Sequence, residues 1–292
     1  MIPGNHPREQ EAVIPELPEV ETVKNGLSEV ALGKVVGSVK FYRKDLREEI
    51  PVKLVKEILV GKKITEFSRR SKYILITTEK GTVLSHLGMT GAFLTRHSKK
   101  PEKEHTHFVI GLKNSKGECD LYLHYVDPRR FGRLSATKQN PYDHTYLNSL
   151  GPEPLELNPD ELGDHLFKLS RKRTAPVKNF IMDAKIVVGV GNIYACESLF
   201  KAGVSPLKHS GKVTKRKFVE LAKAIINTLK SAIKQGGTTI KDFQNADGGS
   251  GYFAVALQVY GRQGLPCPIC KKPILQIKQA GRSSWYCKIC QK

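Results

Sequence analysis

Four cysteines near the C-terminus limit what that end of the chain can become. Cys267, Cys270, Cys287 and Cys290 follow the pattern C-x2-C-x16-C-x2-C, in which two tight turns each present a pair of thiolates to one tetrahedral zinc ion. A unit of about thirty residues cannot bury enough apolar surface to fold alone, so ligation has to supply its folding free energy. Four sulfurs also close the coordination sphere, so a single zinc held by four cysteines is expected to be structural rather than catalytic. Between the cysteine pairs, QIKQAGRSSWY reads as a hairpin with Gly281 near its tip and Arg282 just after it. An arginine there suits a phosphate, and suits a solvated surface equally well. The other two cysteines, Cys119 and Cys196, stand in apolar sequence and read as buried, inert thiols.

Six cysteines with four in one metal pattern point to a reducing compartment. The first thirteen residues include Arg8, Glu9 and Glu11 and lack the apolar stretch of a secretory signal, so a cytoplasmic protein is expected. Lys and Arg number 48 against 28 Asp and Glu, a formal net charge of +20. Such an excess calls for a polyanion, and nucleic acid is the commonest one, because lysine and arginine neutralise phosphates and release counterions. A basic membrane-surface protein is the rival, but there is neither an apolar run of about 18 residues nor a lipidation signal. No membrane association is expected.

At 292 residues the chain exceeds what one core usually serves. From about Lys34 to Leu134, the runs VVGSVKFY, KITEFS, YILITT, TVLSHL, HFVIGL and DLYLHY read as strands separated by turn signals. They predict an antiparallel sandwich or barrel. A short helix is predicted to precede them near Pro18, with Val20, Val23 and Leu27 on one face. After Pro152 and Pro154 the pattern becomes helical, with Asn158 as N-cap before Pro159 and with Leu162, Leu166 and Leu169 at helical spacing. The clearest helix spans Thr214 to Gln235, with an apolar stripe of Phe218, Leu221, Ile225, Leu229 and Ile233 stopped by Gly236-Gly237. Asp247 to Gly251, DGGSG, reads as a flexible loop.

Several short motifs could carry chemistry. Pro15-Glu16 opens PELPEVETV. A proline with a free amine, of pKa about 7.7 to 8.0, is a secondary-amine nucleophile near neutral pH, with a carboxylate beside it to move protons. Joined to Ile14, the same nitrogen is an amide with no lone pair to donate. Arg69-Arg70-Ser71-Lys72 is a basic cluster with Lys72 at the start of YILITT, readable as a phosphate grip or as a solvated face. Asp127-Pro128-Arg129-Arg130-Phe131-Gly132 sets two arginines and an aromatic in a turn, a composition suited to gripping backbone and wedging between bases. Met89 lies between glycines in HLGMTG and would otherwise be gap-filling core. Gly189-Val190-Gly191-Asn192 precedes a helical run, where backbone N–H groups and a helix terminus could meet an anion, or where two glycines merely connect helices.

In this order, PELPEVETV, RRSKY, HLGMTG, DPRRFG, LGPEPL, VVGVGNIYACESLF, QGGTTIKDF, LQVYGR and the cysteine pattern resemble the signatures of the formamidopyrimidine-DNA glycosylase family, from Pro15 to Lys292. Leu17 favours this branch over the endonuclease VIII branch. The resemblance implies an α+β, multidomain fold: an N-terminal antiparallel β-sandwich with a flanking helix, then a helix-two-turn-helix domain and a zinc hairpin. It divides the chain into an extension at 1–14, a catalytic domain at 15–150, a helical domain at 151–260 and a zinc finger at 261–292.

The resemblance also implies a base-excision repair DNA glycosylase and apurinic-site lyase, flipping 8-oxoguanine or a formamidopyrimidine out of duplex DNA. By similarity Pro15 would attack C1′, Glu16 would transfer protons, Lys72 would assist β-elimination and Arg282 δ-elimination. Met89, Arg129 and Phe131 would fill the vacated space; His105, Lys172, Lys178 and Asn192 would bind phosphates; the glycine-rich loop after Thr239 would close over the base. A monomer acting at the nucleoid follows from the same resemblance.

The departure is the segment before Pro15, since the family exposes this proline by removing one methionine. Translation starting at the Ile14 codon, or trimming of residues 1–14, would free it, and one of these is expected because Glu16, Lys72 and Arg282 are all retained. The alternatives are a noncatalytic damaged-DNA binder with a blocked Pro15 and an endonuclease VIII-like specificity for oxidised pyrimidines. A zinc-ribbon transcription or translation factor would leave Pro15-Glu16 and DPRRFG without a role.

Overall fold

The structure, a computed structural model, describes residues 15–101, 104–236 and 257–292. The extension before Pro15 and the glycine-rich segment around residues 238–253, including DGGSG, lie outside the described residues.

Helix α1 (Leu17–Ala31) starts where its sequence allows: Pro18 occupies the first turn, and the Glu16 N–H donates to the Glu19 carboxylate at 2.9 Å, satisfying an otherwise orphaned donor. Its buried residues follow helical spacing, yet they serve two cores. Val20, Val23, Leu27 and Ala31 pack into the sandwich, while Leu17 packs among the helices of the second domain. Glu16 therefore stands at the junction of the two.

The sandwich consists of β1 (Val36–Phe41), helix α2 (Val52–Leu59), β2 (Ile64–Arg70), β3 (Tyr73–Thr78), β4 (Gly81–His86), β5 (Ala92–Arg96), β6 (Thr106–Lys113), β7 (Cys119–Val126) and β8 (Arg133–Thr137). One sheet runs β1-β6-β7-β5 and the other β2-β3-β4-β8, every pairing antiparallel. Six of the eight strands match the predicted runs; β5, β8 and α2 extend the prediction. Phe93, Phe108 and Tyr125 cluster in the interior, the last two stacked nearly parallel at 4.7 Å and Phe93 edge-on to both. Strand β3 is buried on both faces, because Leu75 packs with Leu84 and Leu147 outside the sandwich core.

The second domain holds α3 (Pro159–Ser170), α4 (Val177–Ile181), α5 (Asn192–Lys201) and α6 (Lys215–Lys234). Asn158 caps α3 by accepting from Asp160 and Glu161 N–H groups at 3.0 and 2.9 Å, as the sequence predicts. The predicted stripe of α6 is also found: Phe218, Leu221, Ile225 and Leu229 are fully buried and Ile233 partly so. Leu169 departs from expectation. It is 36% exposed, since the face of α3 that meets α6 is centred on Leu162, Gly163 and Leu166, and Leu169 lies at its margin. Among the described residues no helix is long and apolar enough to cross a membrane.

Strands β9 (Leu275–Gln279) and β10 (Arg282–Tyr286) form the C-terminal hairpin around Ala280 and Gly281, both with positive φ, which makes the tight turn that hairpins favour. The hairpin docks on α5 through Trp285, Phe200, Cys196, Val259 and Ile274. Gln291 reaches the Val204 carbonyl at 2.9 Å and ties the last residues to the helical domain.

Candidate active site and nucleic-acid interface

The N-terminus of α1 meets the N-terminus of α5. Glu16 is buried, and the backbone N–H groups of Asn192 and Ile193, in the first turn of α5, bond its carboxylate. A Cβ built on Gly191 would overlap that carboxylate, and one on Gly189, where φ is +77°, would overlap Leu17. Both glycines are thus required by close approach. The anion at the GVGN turn is accordingly the protein's own Glu16, drawn in from the other end of the chain.

Burial pushes the Glu16 carboxyl up to about 7, with the nearby Lys72 charge pulling down and Glu19 pushing further up. Its Oε2 is buried without a hydrogen-bond partner among the described residues. Glu19 is held in turn by the Tyr194 hydroxyl, which donates to it at 2.7 Å. A carboxyl near 7 exchanges protons in either direction at neutral pH, which suits general acid–base work. Pro15 is buried immediately before it.

Lys72 sits in the two-residue turn between β2 and β3. Arg69 and Arg70, in the same basic run, form neither a solvated face nor a free phosphate grip. Arg69 donates to Glu21 of α1 at 2.7 Å and to Glu153 at 2.9 Å; Arg70 donates to Glu153 at 3.1 Å and to the Gly151 carbonyl at 2.6 Å. With its neighbours spent on internal pairing, Lys72 is left as the cation of the run that faces the site, and its charge acts on both Glu16 and His86.

Met89, Arg129 and Phe131 come from two loops that are joined to each other. The Thr90 hydroxyl donates to Asp127 at 2.5 Å, Asp127 accepts the Gly132 N–H at 2.7 Å, and Gly88 lies against the Phe131 backbone too closely for any side chain. The Arg129 guanidinium lies over the Phe131 ring at 4.8 Å, and Phe131 is 40% exposed. The pair presents a cation and an aromatic face at the surface, a combination suited to phosphate contact and base stacking. His105 adjoins this loop, its carbonyl accepting the Asp127 N–H at 3.1 Å, with its side chain exposed.

Lys172 is exposed at a positive φ of 63°, and Asn192 stands at the start of α5 with a buried side-chain oxygen that has no partner among the described residues. Lys178 is placed differently from a surface phosphate ligand. It is 1% exposed, and its ammonium donates to the Ser283 carbonyl at 2.9 Å and the Ser284 hydroxyl at 2.6 Å, bracing β10 beside Arg282. Burial, then the Arg282 charge among its neighbours, draws the Lys178 ammonium down. Cys196 beside it is buried and its thiol pushed up by desolvation, as expected of an inert thiol.

Three residues escaped the sequence reading. Glu153 binds both arginines above; Glu197, buried, accepts backbone N–H groups from Gln258, Val259 and Tyr260 at 2.9–3.1 Å; and His86 accepts the Gly88 N–H at 2.9 Å, with burial and then Lys72 drawing its ring down to about 4. Glu153 and Glu197 have partners that their local sequence does not indicate; His86 finds its partner Gly88 within HLGMTG, and what the sequence hides is the Lys72 charge acting on it.

The four cysteine sulfurs lie within 4.8 Å of one another, with Cys267–Cys290 at 3.8 Å and Cys270–Cys287 at 3.4 Å. Tetrahedral zinc with Zn–S bonds of about 2.3 Å separates its sulfurs by about 3.8 Å. The group fits one structural zinc ion, which would supply cross-linking and no open coordination position. A two-stranded hairpin is marginal by itself, and structural zinc contributes about 10–16 kcal/mol of apparent binding free energy in zinc-finger peptides. Chelation, or Cys287→Ser, is therefore expected to open the hairpin. Trp285 is the only tryptophan and is buried against Tyr260, so its emission should shift to the red while helical circular dichroism persists. Unshifted emission from metal-free protein would refute this.

Comparison with known proteins places these features together. Family models match in order: the formamidopyrimidine-DNA glycosylase N-terminal domain over residues 14–134, the corresponding H2TH domain over 150–244, and a zinc finger found in FPG and IleRS over 264–292. The formamidopyrimidine-DNA glycosylase of Stenotrophomonas maltophilia (strain K279a) is 46% identical over 279 residues, spanning 96% of this chain and 100% of its own. The crystal structure of MutM (Fpg) from Thermus thermophilus aligns with TM-score 0.80 and 34% identity, over 95% of this chain and 98% of that one. A complex of wild-type Lactococcus lactis Fpg with DNA containing N7-benzyl-Fapy-dG aligns with TM-score 0.82 and 31% identity, over 95% and 100%.

Proposed function

The chain belongs to the formamidopyrimidine-DNA glycosylase family, and from that premise we propose that it removes oxidised purines, 8-oxoguanine and formamidopyrimidines, from duplex DNA through an imine at Pro15. It is a base-excision repair glycosylase with one structural zinc, and a noncatalytic binder or a specificity for oxidised pyrimidines is not favoured. The observation that carries the catalytic reading is Glu16: a buried carboxyl poised near 7, next to Pro15 and within the field of Lys72.

In this reading the free amine of Pro15 attacks C1′ and the bond from C1′ to the base breaks. Glu16 carries the proton that the opening sugar or departing base needs. The Lys72 charge, which acts on Glu16, tunes that proton transfer during base release. The resulting imine then acidifies the adjacent sugar carbon, so Lys72 also assists β-elimination of the 3′-phosphate and Arg282, at the start of β10, assists δ-elimination. Flipping the base leaves a gap. Met89 and Phe131 fill it, and Arg129, held over the Phe131 ring, meets the orphaned cytosine. His105, Lys172 and Asn192 hold phosphates, and Lys178 supports the same surface by bracing β10. The enzyme works as a monomer on nucleoid DNA in the cytoplasm, with the domain limits read from the sequence.

Single-turnover excision from duplexes carrying 8-oxoguanine or an oxidised pyrimidine tests the reading. The purine is expected to be released faster, and Lys72→Ala is expected to slow release by about 10²-fold or more, on the order of what a positioned proton-transfer group contributes, with the fold intact. Faster pyrimidine release would overturn the specificity, and an unchanged Lys72→Ala rate would remove Lys72 from the mechanism.

A further inference from the structure

We propose that Glu153, in the connection between the sandwich and the helical domain, is a positioning residue that sets Lys72 relative to Glu16. The inference rests on the role given to Lys72 above.

The carboxylate of Glu153 is 4% exposed and holds the β2–β3 turn directly: it accepts the Ser71 N–H at 2.6 Å, Arg70 at 3.1 Å and Arg69 at 2.9 Å. Arg69 closes the loop by donating to the Ser71 carbonyl at 2.9 Å. Both ends of Ser71 are thereby fixed, and Ser71 takes a φ of 55°, a left-handed conformation that a non-glycine residue keeps only where its surroundings impose it. Lys72 is the next residue, so its direction follows from that turn.

The same stretch of chain also holds the other half of the site. The Gly151 N–H donates to the Ala184 carbonyl at 2.8 Å, and the Pro152 carbonyl accepts the Val188 N–H at 3.2 Å. Val188 leads into Gly189–Gly191, the turn that seats Glu16. Residues 151–153 thus grip the lysine turn by a side chain and the Glu16 turn by backbone. Arg69 adds a third tie, to Glu21 on α1, the helix that Glu16 begins.

Glu153 is more than a partner for buried charge. Without it Arg69 keeps Glu21 and the Ser71 carbonyl, and Arg70 keeps the carbonyls of Leu150 and Gly151. Both guanidiniums stay hydrogen-bonded, so the fold is expected to survive; what is released is the Ser71 N–H and with it the strained turn. A displacement of about 1 Å at a reacting group can cost on the order of a hundredfold in rate, which bounds the effect.

The test is a double-mutant cycle on single-turnover excision from an 8-oxoguanine duplex. Glu153→Gln, whose single amide oxygen cannot accept from Ser71 and both arginines at once, is expected to slow excision about tenfold, within that bound, with DNA affinity nearly unchanged and the chain less stable but still folded at the assay temperature. In a Lys72→Ala background the same substitution should have no further effect, because nothing is left to position. Glu153→Asp, which keeps the arginines paired but withdraws the carboxylate by one methylene, should behave alike and serves if the glutamine variant folds poorly. Multiplicative losses in the two backgrounds would overturn the proposal while leaving Lys72 in place. An unchanged Lys72→Ala rate would overturn the reading beneath it and the proposal together.

Discussion

A chain whose first residue is Pro15 is expected to be trapped by borohydride on duplex DNA carrying 8-oxoguanine, and a chain with the Ile14–Pro15 peptide intact is expected to give no crosslink. The reason is electronic. A secondary amine of pKa about 7.7 to 8.0 is partly neutral at pH 7 and attacks through its lone pair; in the peptide that pair is delocalised into the carbonyl. Only the amine can form the imine that borohydride reduces. The loss should approach what deleting a covalent nucleophile costs elsewhere, on the order of 10⁶ in rate. The N-terminal family model begins at residue 14, one position before the proline, so the likeness to the family does not cover residues 1–13. Mass spectrometry of the N-terminal peptide from the native host, paired with trapping, settles the matter: a protein beginning at Pro15 that crosslinks supports the mechanism. A protein that retains residues 1 to 14, crosslinks and excises equally would remove Pro15 from it and require another amine.

How far the sequence could be read depended on how local each interaction is. The cysteine spacing, the Asn158 cap and the α6 stripe are written within a few residues of each other, and each was legible. Helix α2 was not, because its eight residues, VKLVKEIL, are rich in Val, Leu and Ile and too few to display a helical period clearly. Strand β8, RLSAT, offers only Leu134 and Ala136 to the core, too weak an alternation to separate from loop. The site shows the same division. Family motifs named Glu16, Lys72 and the Met89, Arg129 and Phe131 trio, but the run RRSK looked like a charged surface because Glu153, which consumes both arginines, lies 84 residues from Arg69. The GVGN turn looked like a phosphate nest for a similar reason: the carboxylate it seats comes from the opposite end of the chain. Buried carboxylates with distant partners leave no local trace, and here they organise the machinery that the motifs announce.

Glu16→Gln is expected to weaken catalysis and strengthen the fold, and the second effect should depend on pH in a defined sense. In the folded chain the Glu16 carboxyl is raised from 4.5 to about 7, chiefly by burial. The folded state therefore holds this proton more tightly than the unfolded state does. The stabilising contribution is fully present below about pH 4.5 and is lost as pH rises through about 7. At pH 8 the parent bears that loss, on the order of 3 kcal/mol at about 1.36 kcal/mol per unit, whereas the glutamine variant has no charge to desolvate. Relative to the parent, the variant's melting temperature should rise between about pH 5 and 8 and level off above. A pH-independent difference would show that Glu16 ionises as freely in the folded chain as in the unfolded one. Excision should meanwhile fall by about 10² to 10⁴, the range for removing a general acid–base group. Freeing Pro15 adds a second check, since a cation at its amine would favour the carboxylate and narrow the pH window. The expected gain is then smaller in a chain that starts at Pro15 than in one that carries residues 1 to 14. Burial and the nucleophile's charge act on Glu16 in opposite directions, so it is burial that keeps the carboxyl's proton affinity near the amine's at neutral pH, where a proton can pass between them.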